Sequence, residues 1–552
     1  MKIKKRKVGG LMFSLIRSVS LRNFKGFAEE IKIDLKPITL LFGANSAGKS
    51  SILHALQYVR EILERNNANA DRTLQGGDAV DLGGFLNLVH DRDRSKNIEI
   101  EIAMVLGEEP IPELVPEAFE DGQTNESDVW AFYDQLQQVR NRVMDVAVRF
   151  VIGWSELRET AFVSEYTISA NGQWCMRIIA TNDGRDAQMN INSQNPIFMV
   201  ETEPVNMDML ADLLGFELPT EDATTTAEDG TKLASIWHDL TSVMEDYGIQ
   251  RPGAGLRSWL KDSEFRGALP KLGQMLYIPT PDVKGASGIY IAREFTAFLS
   301  WLTIGPAMLL REQLQQMRYI GPLRRIPPRG FDVSLTKNDN AWSDGMAAWE
   351  SLLAGSSTFV EECSDWMRSQ QKLATGYGLE RVEIQEMQLV NGLPHAVGPI
   401  RKRLYLVDNH ELKHQPQDVG VGISQILPVV VAANDMHASI VCIEQPELHV
   451  HPSVQVGIGD LLIDGAMKNG LNFLIETHSE HLILRILRRI REFAESQQDS
   501  NLPEIRPQDV GIIYLGKNDG VVRVHNLIIN ESGDFDTPWP KGFFEERGEE
   551  LF

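Results

Sequence analysis

The stretch Gly43-Ala44-Asn45-Ser46-Ala47-Gly48-Lys49-Ser50-Ser51 constrains the fold more than any other part of the sequence. Ile38-Thr39-Leu40-Leu41-Phe42 precedes it as an apolar run and reads as a buried strand. Ile52, Leu53, Leu56, Val59, Ile62 and Leu63 follow at helical spacing. A G-x-x-x-x-G-K-S match between a strand and a helix is the context in which glycine-rich backbone cradles polyphosphate. Successive N–H groups form a concave nest there, and the positive end of the following helix points into it. In such a cradle the lysine, here Lys49, reaches the β- and γ-phosphates, and the hydroxyl of Ser50 holds Mg2+. ATP and Mg2+ are the expected ligands.

A chain of 552 residues is long enough for two or more domains and a large core. Its 43% hydrophobic and 24% charged residues are those of an ordinary soluble globular protein. No apolar run approaches the roughly 20 residues needed to span a bilayer, so no membrane association is expected. The basic start, Met1 to Lys7, is followed by no apolar segment of the length a secretory signal needs. Cys175, Cys363 and Cys442 are scattered and odd in number. Reduced thiols, a cytoplasmic setting and no zinc framework are expected. A net charge of −23 excludes a protein that coats nucleic acid over its whole surface, though not a local basic groove.

Lys2, Lys4, Lys5, Arg6 and Lys7 read as a solvated tail or an extension ahead of Met12, in preference to a nucleic-acid arm. Leu15 to Leu35 predicts a hairpin leading into the P-loop strand. Further strands are expected at Ile98–Ile102, Val146–Trp154 and Ala161–Ser169, with a turn at Asn171-Gly172 and a strand to about Ile179. Residues 107–139 and 201–231 each hold nine carboxylates and no Lys or Arg. They read as solvated faces, with docking of a basic partner as the functional alternative. Helices are expected at Leu233–Tyr247 and Ile291–Arg318, the latter rejoining the nucleotide lobe near Tyr319-Ile320-Gly321-Pro322-Leu323-Arg324-Arg325.

Three motifs follow in a fixed order. Gly420-Val421-Gly422-Ile423-Ser424-Gln425 opens an apolar helix through Ala433, a glycine-flanked serine at a helix start being another anion-binding arrangement. Ser439 to Ile443 reads as a buried strand ending in Glu444-Gln445-Pro446-Glu447, where Mg2+ needs an acidic partner. Asn472 to Ile475 reads as another strand, running through Glu476 and Thr477 to His478, which can reach a γ-phosphate.

A P-loop, a long insertion, and then signature, strand-end carboxylate and switch-histidine motifs close together form the order of ABC-type ATPase heads. The segments "NFKGF", "GANSAGKSS", "GVGISQILP", "IEQPELHVHP" and "ETHSEH" resemble the SMC-like and OLD-like group of prokaryotic ATPases. The PtuA-like ATPase subunits of Septu and retron-associated phage-defence systems are the nearest resemblance, and "TPWPKGFFEE" looks like the C-terminal element of one branch. The likeness covers residues 12–105 and about 318–552. It implies an α/β fold: a P-loop ABC-type ATPase head with a flanking antiparallel sheet and an inserted, mostly helical arm. The implied division is a basic tail at 1–11, an N-terminal ATPase lobe at 12–106, an inserted region at 107–318 and a C-terminal lobe at 319–552. It further implies a homodimer or higher homo-oligomer in which nucleotide lies between the P-loop of one subunit and the signature motif of another. Gly43 to Ser51 would form the cradle, Ser50 and Glu444 would hold Mg2+, and His478 would be the switch histidine. Gly422, Ser424 and Gln425 would clamp the γ-phosphate from the opposite subunit. The glutamine that links Mg2+ to the other lobe has no clear position, Gln75 being a weak candidate.

Many ABC heads place a glutamate directly after the Mg2+ carboxylate to polarise the attacking water; this chain has Gln445. A neutral amide orients water but accepts no proton, so Glu447 or His478 is the candidate base, and slow ATP turnover is expected. The alternative is a tolerated variant with normal turnover. His449, His451, His478 and His481 lack the i, i+4 pairing of many zinc sites, and nucleotide sensing explains them better. Arg485, Arg488, Arg489 and Arg491 read as a solvated or partner-facing helix face, with nucleic-acid contact the lesser option. Only 74 residues follow His478, and Asp534 and Asp536 there find no strand–glutamate partner. No intrinsic nuclease is expected. By analogy the partner is a separate HNH-type nuclease, and in the retron setting a reverse transcriptase with its nucleic acid. Direct DNA or RNA contact is left open. The rival readings are a DNA-repair-type clamp acting on DNA itself and a nucleotide-binding scaffold with negligible turnover.

Overall fold

All six residues of Ile38–Gly43 are buried, as are all five of Ile440–Glu444 and of Asn472–Glu476. Runs this apolar belong to parallel strands covered on both faces. In the computed structural model they are the centre of one six-stranded sheet. Its order is Arg318–Ile320, Ile440–Glu444, Asn472–Glu476, Ile38–Gly43, Val510–Asn518, Val521–Leu527. The first five strands run parallel and the last antiparallel. The register sets Glu444 beside Glu476 and Glu476 beside Leu41, so the carboxyl ends of three adjacent strands open at one edge. In open α/β sheets, ligands bind outside that edge.

The structure describes residues 6–8, 11–13, 16–65 without Ser46, 82–107, 111–114, 127–201, 225–226, 232–235, 267–276, 285–331, 339–495, 503–518 and 521–536. The basic start to Lys5, Ser46, Gln75, the motif at 537–546, part of the acidic stretch 107–139 and most of 201–231 lie outside them. The chain divides into two compact units. One is Met1–Glu61, Arg72–Lys96 and Glu312–Phe552; the other is Ile62–Asp71 with Asn97–Arg311.

In the first unit, Ile16–Arg22 and Ile31–Asp34 form the predicted hairpin. Helices Val421–Asn434, Pro452–Met467 and Glu480–Ala494 contribute Leu427, Val430, Ile458, Leu462, Ile483 and Ile486 to the core around the sheet. Pro452 stands at the first turn of its helix, where a missing N–H costs nothing. Ser479 caps the next helix by accepting from the Leu482 N–H. That helix corrects the reading of its arginines. Arg485 and Arg489 turn inward onto Asp460, which is 1% exposed, while Arg488 pairs with Glu492 and Arg491 with Asp534.

The second unit carries the expected antiparallel meander, Ile98–Val105, Asp145–Ser155, Thr160–Ala170 and Gln173–Thr181, extended by Asp186–Ile191. Asn171 and Gly172, with φ of 48° and 80°, make its tight turn. The helix expected from Ile291 starts at Gly285 and ends at Gln315; Arg318 instead begins a strand. The helix expected from Leu233 is corrected at its start, because Lys232–Ser235 is a strand paired with Met199–Glu201. The remainder of that segment lies outside the described residues.

Candidate functional site

Gly43 ends the central strand at φ 138°, and a Cβ there would stand 2.1 Å from the Leu515 carbonyl oxygen. Gly48, at φ 94°, has the Phe27 ring 3.0 Å from where its Cβ would be. Neither position takes a side chain, so the chain can turn back tightly over the strand and enter the helix Lys49–Glu64. The Lys49 ammonium donates to the Gly43 and Ala44 carbonyls (2.9 and 3.0 Å) and lies 3.8 Å from the Glu476 carboxylate. Burial lowers its pKa, against the charges of Glu476 and Glu447. The Ser50 hydroxyl donates to Glu476 Oε2 (2.6 Å). Ala44 and Asn45 are exposed at the loop crest, while Ala47 and Ser51 are buried.

Two more strand ends complete the site. Tyr319 donates its hydroxyl to Glu444 Oε1 (2.6 Å), and His54 Nε2 lies 3.4 Å from the same oxygen. Lys25 Nζ in turn contacts His54 Nδ1 (2.6 Å). Burial pushes the Glu444 carboxyl up, but hydrogen bonds from His54 and Tyr319 and the charges of His54 and Lys25 leave it below the ordinary value. Burial also draws the Lys25 ammonium down to about 8. Glu476 moves the other way: burial raises it, the Ser50 hydrogen bond opposing and Glu444 adding. Glu447 accepts from the Thr477 hydroxyl (2.8 Å) and the His478 N–H (2.7 Å), and burial raises its carboxyl. Burial and the Lys49 charge lower His478. Gln445, at φ 46°, is pinned by its N–H to the Glu476 carbonyl (2.8 Å).

Lys49, Ser50, Glu444, Glu447 and His478 are thus brought together, joined by Glu476 and Thr477. Of the signature residues, Ser424 and Gln425 are buried against their own chain. Ser424 is fully buried, its hydroxyl 3.4 Å from the Pro416 carbonyl, and the Gln425 amide exchanges hydrogen bonds with the Arg324 backbone. Both side chains are buried within the chain, and Gly420 and Val421 are the exposed groups at that helix start. Arg324, 4% exposed, ties the two motifs by donating to the carbonyls of Gln425, Glu444 and Gln445 (3.3, 2.7 and 3.1 Å). Burial lowers it to about 10 despite Glu447 and Glu444. Among the described residues, no three His, Cys, Asp or Glu side chains form a metal-binding group.

The family comparisons agree with this geometry. Residues 15–238 match a family described as AAA ATPase domain, and residues 283–485 match one described as AAA domain, putative AbiEii toxin, Type IV TA system. Residues 505–552 match a family described as a protein of unknown function. No curated protein matches. Among solved structures, the chain is similar to an SMC head bound to the C-winged helix domain of ScpA, at 11% identity and a TM-score of 0.38. That match covers 94% of this chain and 98% of that one. It is also similar to the SMC head domain from Thermotoga maritima, at 8% identity and a TM-score of 0.33, covering 93% and 99%. No described helix is long and apolar enough to cross a membrane.

The donor set of the site fits Mg2+. Ser50, Glu444 and Glu476 offer hard oxygens, too few for an all-protein cage, which suits an ion that keeps waters and shares phosphate oxygens. Sequence reasoning missed Lys25, His54 and Tyr319, which orient Glu444 from three separate segments. Tyr319→Phe removes the donor that fixes this carboxylate. It is expected to raise the Mg2+ concentration for half-maximal ATP hydrolysis by ~10-fold, as loss of such an outer partner usually does. An unchanged Mg2+ titration would leave Tyr319 a packing residue only.

Proposed function

We propose that this protein binds Mg2+-ATP at the P-loop edge and hydrolyses it slowly, using the cycle as a switch between copies of itself. One observation carries the reading: Lys49, Ser50, Glu444, Glu447, Glu476 and His478 converge at the ends of three adjacent parallel strands. Gly43 to Ser51 cradle the phosphates, with Lys49 neutralising their charge. Ser50 and Glu444 would hold the Mg2+, whose charge would offset that developing on the phosphoryl oxygens. Gln445 orients the attacking water, Glu447 takes its proton, and His478 senses the γ-phosphate. Slow turnover follows from an amide where many ABC heads have a carboxylate.

The wider role is control of a separate nuclease, of HNH type, in an anti-phage complex. The motif resemblance supports it, as does the match of residues 283–485 to the family described as AAA domain, putative AbiEii toxin, Type IV TA system. A guard that holds ATP for long keeps a toxic partner in one state. In the shared-site form of this proposal, the helix start at Gly420-Val421-Gly422 meets the nucleotide of a second copy. Val421 is half exposed, so Val421→Arg alters that edge without burying a charge. ATP binding is expected to persist while steady-state hydrolysis is lost. Normal hydrolysis by this variant would mean that each subunit works alone.

A further inference from the structure

The strands Tyr377–Val390 and Leu393–Asp408 form a long hairpin, turned at Asn391-Gly392, in which every residue from Glu383 to Arg401 is exposed. Directly opposed residues share a face of such a ribbon, and the faces alternate. Met387 pairs with Ala396 and Leu389 with Pro394, so these four form one face without a polar side chain. The other face takes Glu386 with Val397, Gln388 with His395, and Val390 with Leu393. Leu389 is 71% exposed and Met387 56%, in positions where an ordinary sheet would be covered. An isolated two-stranded ribbon is only marginally stable in water, and its apolar face calls for a second layer.

We propose that this second layer is the same ribbon of another copy of the chain, packed face to face without any need for nucleotide. Charge favours that occupant. The chain carries a net −23, so two copies repel over most of their surfaces, whereas residues 387–400 contain no Asp, Glu, Lys or Arg. Shape favours it as well. The bulky side chains, Met387 and Leu389, stand on one strand and the compact ones, Ala396 and Pro394, on the other. A two-fold axis along the ribbon sets the bulky strand of each copy over the compact strand of its partner, the self-complementarity an isologous contact requires.

The test is sedimentation velocity of the full-length protein without nucleotide. A dimer is expected, and Leu389→Glu, which places a carboxylate on the dry face, is expected to halve the mass while leaving ATP binding intact. Leu389→Ile should stay dimeric, and Lys49→Ala should match the wild type because the contact uses no nucleotide. Should Leu389→Glu prove insoluble, Met387→Glu probes the same face. A dimer that survives the glutamate, or a monomeric wild type, would overturn the proposal, the latter assigning the ribbon to a different protein.

Discussion

Lys49→Ala is expected to abolish ATP binding at cellular nucleotide concentrations. The residue is 3% exposed, its ammonium held by two P-loop carbonyls and set 3.8 Å from Glu476. A unit charge about 4 Å from another interacts by ~4 kcal/mol at the effective dielectric of a protein surface. That is about 10³-fold in affinity for one opposed charge. The variant also leaves Glu476 facing polyphosphate without the cation that stands 3.8 Å from it. Equilibrium dialysis reads the loss directly, and undiminished binding would place the nucleotide elsewhere on the chain.

Glu447→Gln is expected to keep ATP binding and lower single-turnover hydrolysis by ~10²–10⁴-fold, the usual worth of a positioned base. The amide retains the size of the carboxylate and its oxygen can still accept from the Thr477 hydroxyl or the His478 N–H, so the turn between the two strand ends keeps its form. Only proton acceptance is removed. Burial raises the Glu447 carboxyl above the ordinary value, making it a stronger base than a solvated carboxylate. A base must be ionised to act. Hydrolysis should therefore fall with decreasing pH through a point above the ordinary carboxylate range, and the Glu447→Gln residual rate should lack that limb. Quenched-flow measurements at saturating ATP give both. A variant hydrolysing at the wild-type rate would transfer the role to His478.

How much of this was legible depended on how local each signal is. The P-loop was readable because Gly43 and Gly48 must be glycine: one faces a carbonyl at 2.1 Å, the other a phenylalanine ring. The three strand ends were readable because strands buried on both faces are apolar throughout. Lys25, His54 and Tyr319 were not, since they meet Glu444 from positions 125 to 419 residues away, and no periodicity spans such gaps. Adjacent arginines, Arg324 and Arg325, look alike in sequence; one is buried against three carbonyls and the other exposed beside Asp344. The glycines around Ser424 mark a helix start, but nothing in that local pattern shows that its hydroxyl packs 3.4 Å from the Pro416 carbonyl. Asn391-Gly392 is a strong hairpin signal, and it turns the longest two-stranded ribbon among the described residues.

The central claim is that one Mg2+-ATP site lies at the edge where the strands of Gly43, Glu444 and Glu476 end. Calorimetric titration of the purified wild-type protein with a non-hydrolysable ATP analogue, with and without Mg2+, tests it most directly. The account predicts one site per chain, tighter with Mg2+, and loss of that Mg2+ gain in Glu444→Gln. Absence of binding, or binding indifferent to both Mg2+ and Glu444, would contradict it.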